Sequence, residues 1–255
     1  MAGININANL PESVDNALKN VTDLPTQGIG KTLSDCWFLA FGGISQLAEK
    51  RRIKYANDLE IFKNELTASL EKVPADYRKE PTTQMVLTTL DEAKYSVEEK
   101  DLRQLFVALL TSSTDSRKNV HPCFSQIIRQ MSSNDAKLLH YFKANDEQPI
   151  CNLKLIVDEN GSYQFLSHNI FISGPNNMSI DDKRISISSL IHLGLLEIVF
   201  DGHLTDESYY LGFKDTIIYK EAKSHFPNNK LELEKRVVAL TSLGKLFISC
   251  CLPDD

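Results

Sequence analysis

Between Gly42-Gly43 and Val73-Pro74, apolar residues recur at steps of three and four: Ile44, Leu47, Ala48, Tyr55, Leu59, Phe62, Leu66 and Leu70. That period belongs to an α-helix with one buried face. The residue before a proline is pushed out of the helical region, so Val73-Pro74 closes it. A continuous helix from Ile44 to Leu70 spans about 40 Å at 1.5 Å per residue, longer than the common globular helix. The rest of the chain must therefore supply partners along that length. Its polar face carries Lys50, Arg51, Arg52 and Lys54, then Asp58, Glu60, Lys63 and Glu65. A solvated face accounts for this run better than a basic docking patch at Lys50–Lys54.

Further helices follow. Thr82 or Thr83 caps one that runs to about Tyr95, with Met85, Val86 and Leu90 inward. Glu98 to Leu110 carries the stripe Leu102, Leu105, Phe106, Leu109 and Leu110, with Glu98, Glu99 and Asp101 where the helix dipole favours anions. A polar break from Thr111 to His121 ends it. Pro122 then suits a first helical position, and Phe124, Ile127, Ile128 and Met131 make the next stripe. Ser132 or Ser133 caps a last short helix, Asp135 to Phe142, and the set predicts a compact bundle.

From Gln148 the texture changes. Ile150–Val157 and Tyr163–Phe171 flank Asp158-Glu159-Asn160-Gly161, which reads as a β-hairpin. Ser179 caps a helix bearing Ile187, Leu190 and Ile191, which Gly194 ends; Leu195–Phe200 is a strand, and Tyr209–Phe213 and Ile217–Tyr219 read as further strands. A helix from Thr241 to Cys251 closes the chain. The pattern Leu193-Gly194-Leu195, strand, strand, then Leu240-Thr241-x-Leu243-Gly244-x-x-Phe247 has a winged-helix layout. The expected fold is mainly α: an apolar, amphipathic helical segment over 1–43, a helical core with one long helix over 44–145, and a winged-helix-like α+β module over 146–255.

Charge restricts the partners. The chain of 255 residues holds 28 Lys+Arg against 34 Asp+Glu, a net charge of −6. The acidic excess is present in both halves, and no basic block appears. Such a surface disfavours wholesale binding to nucleic acid or anionic lipid. The helix placed as the recognition helix of a winged module has Lys183 and Arg184 against Asp181 and Asp182, so protein docking suits it better than DNA. The five cysteines are odd in number and unpatterned, and no secretory signal is visible, so a cytoplasmic chain with free thiols is expected. The longest apolar stretch, Leu33 to Ala48, is well short of the roughly 20 apolar residues of a membrane span. Its residues Leu33, Trp37, Phe38, Leu39 and Phe41 form a candidate segment for self-association into a homo-oligomer, or for membrane contact on activation.

Candidate chemistry is sparse. Gly28-Ile29-Gly30-Lys31-Thr32 suggests a phosphate loop, yet Pro25 stands where the pattern wants its first glycine and no buried strand precedes it. Ser112, Ser113, Asp115 and His121 could supply a nucleophile, an orienter and a base, but no oxyanion-hole glycine or strained elbow accompanies them. A helix end followed by a capped restart needs the same residue types. His121-Pro122-Cys123 lacks the spacing of a closed zinc site, and the other histidines have no ligand partner at a metal-binding interval. No catalytic, cofactor or metal residue is therefore assigned; Ser112, Ser113, Asp115, His121 and Pro122 stand as a candidate functional loop.

One pattern is distinctive. Glu98-Glu99-x-Asp101-Leu102-Arg103-x-Leu105-Phe106-x-x-Leu109-Leu110-x-Ser112-Ser113-x-Asp115 is followed by Val120-His121-Pro122-x-Phe124-x-x-Ile127-Ile128 and Ser132-x-x-Asp135-Ala136-Lys137-Leu138-Leu139. This series resembles the abortive-infection alpha domain of bacteria, most closely over Thr82–Phe142 and more loosely over Gly28–Pro81. Cys123 departs from it by standing where a serine is common, and Trp37 and Phe38 enlarge the apolar segment. The resemblance implies anti-phage defence or a toxin-antitoxin type of system, with no catalytic residues to carry over. The expected protein is non-enzymatic and acts through self-association and a protein partner or phage component. The alternatives are a winged-helix DNA-binding regulator and a hydrolase or nuclease using His121 and Asp115.

Overall fold

In the computed structural model, residues 31–41, 49–158, 160–199, 202 and 204–253 are described, and they divide into two compact units. Gly28–Gly30 and Ile44–Ala48 lie outside the described residues. The first unit runs to Arg129 and includes Pro253; the second is Gln130–Leu252.

In the first unit the helical period appears as α2, Glu49–Glu71, which buries Leu59, Phe62, Leu66 and Leu70. Before it comes α1, Lys31–Phe41, whose Leu33, Cys36, Trp37 and Phe41 are buried. The Trp37 ring lies 4.7 Å from Phe41 and 5.3 Å from Phe62, so the apolar segment is part of this core. Only Phe38 and Leu39 of the five candidate association residues face outward, 57% and 69% exposed. Thr82 caps α3, Thr83–Ala93, by accepting a hydrogen bond from the Met85 amide. Helix α4, Lys100–Ser113, packs on α2 and α3. Its Arg103 is buried, and the guanidinium donates to both Glu65 carboxylate oxygens at 2.9 and 3.1 Å and to the Val97 carbonyl at 2.7 Å. Glu65, expected on a solvated face, is thus the counter-charge of a buried cation. Helix α5, Phe124–Gln130, buries Phe124, Ile127 and Ile128.

The second unit opens with α6, Ser133–Ala144. Ser132 and Asp135 form a capping box, each side chain accepting from the other's backbone amide at 3.2 and 2.8 Å. Strands β1, Glu147–Ile156, and β2, Tyr163–Ile170, make the expected hairpin. Helix α7, Ile180–His192, is capped by Ser179 and ended by Gly194, whose φ of 74° suits glycine. Strands β3, Leu196–Val199, and β4, Leu231–Leu240, complete an antiparallel sheet in the order β2-β1-β4-β3, and α9, Ser242–Cys251, follows.

The two further strands expected between β3 and β4 are helical. Tyr209–Phe213 lies in a 3-10 helix, Glu207–Asp215, and Ile217–Tyr219 opens α8, Ile217–His225. Local capping outweighs the aromatic and β-branched composition: Asp206 accepts from the Ser208 amide and Thr216 from the Tyr219 amide, while Tyr210 and Phe213, three residues apart, are the buried side chains. The fold is mainly helical with a C-terminal four-stranded antiparallel sheet.

The sequence patterns at Leu193–Leu195 and Leu240–Phe247 meet in space. The Thr241 hydroxyl donates to the Gly194 carbonyl at 2.6 Å, its amide donates to the Leu195 carbonyl, and the hydroxyl accepts from the Gly244 amide. A Cβ on Gly244 would stand 2.1 Å from the Leu195 carbonyl oxygen. Gly244→Ala is therefore expected to cost about 3 kcal/mol or more, because backbone rather than a flexible side chain must move; a melting temperature within a degree or two of the parent would contradict this packing.

Candidate functional site

The stretch from Ser112 to Pro122 joins α4 to α5. Helix α4 extends three residues beyond the expected Leu110, so Ser112 and Ser113 are buried helical residues rather than loop residues. The Ser113 hydroxyl donates to the Leu110 carbonyl at 2.6 Å and that of Thr114 to the Thr111 carbonyl at 2.8 Å, answering the unpaired carbonyls of a helix end.

Asp115 is buried, and its carboxylate is clasped by Arg117. The guanidinium Nε donates to Oδ1 at 2.9 Å and Nη2 to Oδ2 at 2.6 Å, and the Arg117 amide adds a third bond to Oδ1. These contacts with Arg117 hold the carboxyl below its ordinary range, against the opposing effect of burial. The guanidinium also lies over the Tyr77 ring, 4.4 Å from its centroid. A short antiparallel bridge joins Arg78 to Asp115. Around it the Lys79 amide donates to the Thr114 carbonyl and the Ser116 amide to the Tyr77 carbonyl, each at 2.8 Å. The Arg78 guanidinium in turn donates to the Val73 carbonyl just beyond α2.

His121 and Pro122 are exposed. The His121 Nδ1 accepts from the Cys123 amide at 3.2 Å and stands 2.9 Å from the Cys123 thiol sulfur, while the His121 carbonyl accepts from the Phe124 amide. His121 thus serves the start of α5, and Asp115 serves Arg117. Each of the two side chains thus bonds to a residue two positions further along the chain. The sequence reading missed Tyr77, Arg78 and Arg117; an Asp-x-Arg pair was the available signal, whereas Tyr77 is 38 positions away from Asp115.

A second polar cluster was also missed. Glu234 on β4 accepts from Lys154 at 2.5 Å, Arg236 at 3.1 Å and Asn152 at 2.7 Å. Burial pushes its carboxyl up, but the three hydrogen bonds and the Arg236 charge outweigh this and bring it down to about 2. Its one sequence signal is the alternation of apolar and charged residues over Leu231–Arg236. Among the described residues no group of three or more His, Cys, Asp or Glu side chains could hold a metal ion, and no helix is long and apolar enough to cross a membrane.

These features define a helical protein with a braced interhelical loop and an α+β C-terminal unit. The chain belongs to the abortive infection alpha family, whose pattern matches residues 54–251. The match runs through the sheet into α9, well beyond Thr82–Phe142. Comparison with curated proteins and with solved structures finds no match.

Asp115→Asn is expected to weaken the bidentate pair and lower stability by about 1–2 kcal/mol, with faster amide exchange at Ser116 and Lys79; unchanged exchange there would remove the bracing role. For Glu234 the folded carboxyl sits below its unfolded value. Its stabilisation is therefore full above about pH 4.5 and lost as pH falls toward 2. Glu234→Gln should cost about 2 kcal/mol at pH 7 and flatten the stability profile over that window, measured by urea unfolding at several pH values.

Proposed function

We propose that this chain is a bacterial anti-phage protein of the abortive-infection type that works by protein contact, not by catalysis. The observation that carries this reading is the occupation of the loop's chemical groups. Ser113 and Thr114 answer helix carbonyls, Asp115 is clasped by Arg117, and His121 caps α5. Membership of the family supports the defence role. In this reading the protein is cytoplasmic and self-associates through the outward pair Phe38 and Leu39, with membrane association following activation.

The second unit serves as a winged-helix-like docking module, an assignment supported by the order α7, β3, β4, α9 and by the seating of Thr241 on Gly194. Helix α7 is suited to a protein surface. Its Lys183 is buried, and its Arg184 is tied to Asp181 and to the His168 carbonyl. The exposed residues are Asp181, Ile185, Ser188 and His192, a set poor in the cations that duplex DNA demands.

Phage challenge of cells expressing Phe38→Glu/Leu39→Glu should show loss of protection together with loss of assembly in size-exclusion chromatography. The fold should persist because both side chains are exposed. Full protection by that variant would overturn the self-association reading. His121→Ala should protect as well as the parent, and its failure while folded would restore the hydrolase reading. A dye-entry measurement during infection then separates membrane attack from adaptor action, and Ile185→Glu tests α7 as the docking surface.

A further inference from the structure

We infer that Cys123, paired with His121, is a modification site: a thiol that small hydroperoxides oxidise to the sulfenic acid, with the imidazole taking its proton. This goes beyond the docking reading, lies in the first unit and involves no partner chain. Cys36, Cys151, Cys250 and Cys251 are buried, and Cys123 is the cysteine that is only half-buried. It stands at the entry to α5, where its Sγ lies 2.9 Å from the His121 Nδ1. A nucleophile and a base within hydrogen-bond reach of each other are the parts of an activated thiol.

The hydrogen bonds decide which nitrogen acts. The Cys123 amide donates to Nδ1 at 3.2 Å, so Nδ1 holds the lone pair, Nε2 bears the ring proton, and the thiol hydrogen is directed at the same acceptor. The His121 ring is exposed, its centroid 5.9 Å from that of the buried Phe124 ring, so water and small solutes reach the pair from the outer side. Burial pushes the Cys123 thiol up, so the resting sulfur keeps its hydrogen and needs the base when it reacts; its own backbone amide opposes that rise and is placed to turn from Nδ1 to the thiolate. In the reaction Sγ attacks one oxygen of the peroxide. The S–O bond forms as the O–O bond breaks, and the sulfur gives up an electron pair that reduces the peroxide. The thiol proton passes to Nδ1 and then to the departing hydroxide, which leaves as water. A half-buried sulfur admits a reagent of this size, whereas the buried cysteines are shielded from it.

The experiment treats the full chain with hydrogen peroxide at about 1 mM, traps sulfenic acid with a cyclic dione and locates the adduct by peptide mass spectrometry. The adduct is expected on Cys123 and not on the four buried cysteines, and Cys123→Ser should remove it. His121→Asn keeps a side-chain acceptor for the Cys123 amide but has no base. It should therefore slow labelling about tenfold, with circular dichroism showing the fold retained and added imidazole recovering part of the rate. His121→Gln gives the same comparison with a longer acceptor. No adduct on Cys123, equal labelling of the buried cysteines in the folded chain, or an unchanged rate in the folded His121 variants would overturn the proposal.

Discussion

A charge taken out of water has to be answered by groups already held in place, and both units are organised round such a demand. In the first, Arg103 is enclosed by α2 and α4, and its guanidinium is met by the two Glu65 oxygens and the Val97 carbonyl. A bidentate partner fixes distance and orientation together, so the pair sets the register of two helices where apolar stripes alone would tolerate sliding. Removing Glu65 would leave the buried Arg103 guanidinium without its counter-charge, which costs about 3 kcal/mol. In the second unit Glu234 plays the same part across β1 and β4, and Asp135 ties the start of α6 to α7 through the Ser189 hydroxyl.

Local demands were legible in the sequence wherever one residue type answers them. Thr82, Ser132, Ser179 and Thr241 cap the helices they precede because each places a hydroxyl within reach of an orphan amide. Gly194 ends α7 in a left-handed conformation, and at the hairpin turn Asp158 accepts from the Asn160 and Ser162 amides beside the left-handed Gly161. The errors arose where composition competes with capping. Tyr209–Phe213 and Ile217–Tyr219 have the residues of strands, but Asp206 and Thr216 start helices there, and burial at Tyr210 and Phe213 follows a spacing of three. Apolar runs also conceal direction. Leu33, Trp37 and Phe41 lie on one face of α1 and enter the core, while Phe38 and Leu39 lie on the other, and only a known helix phase separates the two sets.

The candidate loop was legible as a place and not as an arrangement. Ser112, Ser113, Asp115 and His121 stand out because polar residues interrupt two clean stripes, yet their roles depend on groups that sequence distance hides. Tyr77 and Arg78 come from the linker after α2, and they reach the loop through backbone pairing that no side-chain pattern announces. The result is a brace: Arg117 joins Asp115 to Tyr77, and Arg78 joins the same bridge to the end of α2. A residue series that is distinctive in sequence is here distinctive because it builds a joint.

That joint bears on how such a chain can act. Here Ser113 and Thr114 bond back to α4, Asp115 holds Arg117, and His121 accepts from the Cys123 amide at the start of α5, while His121 and Pro122 are exposed and Arg117 stacks on Tyr77. The overall charge of −6 gains meaning from the same accounting. Several cations of the chain are committed to fixed partners, Arg103 to Glu65, Arg117 to Asp115 and Arg184 to Asp181. With this acidic balance a polyanion needs specific geometry to be held, because the net charge works against gathering it.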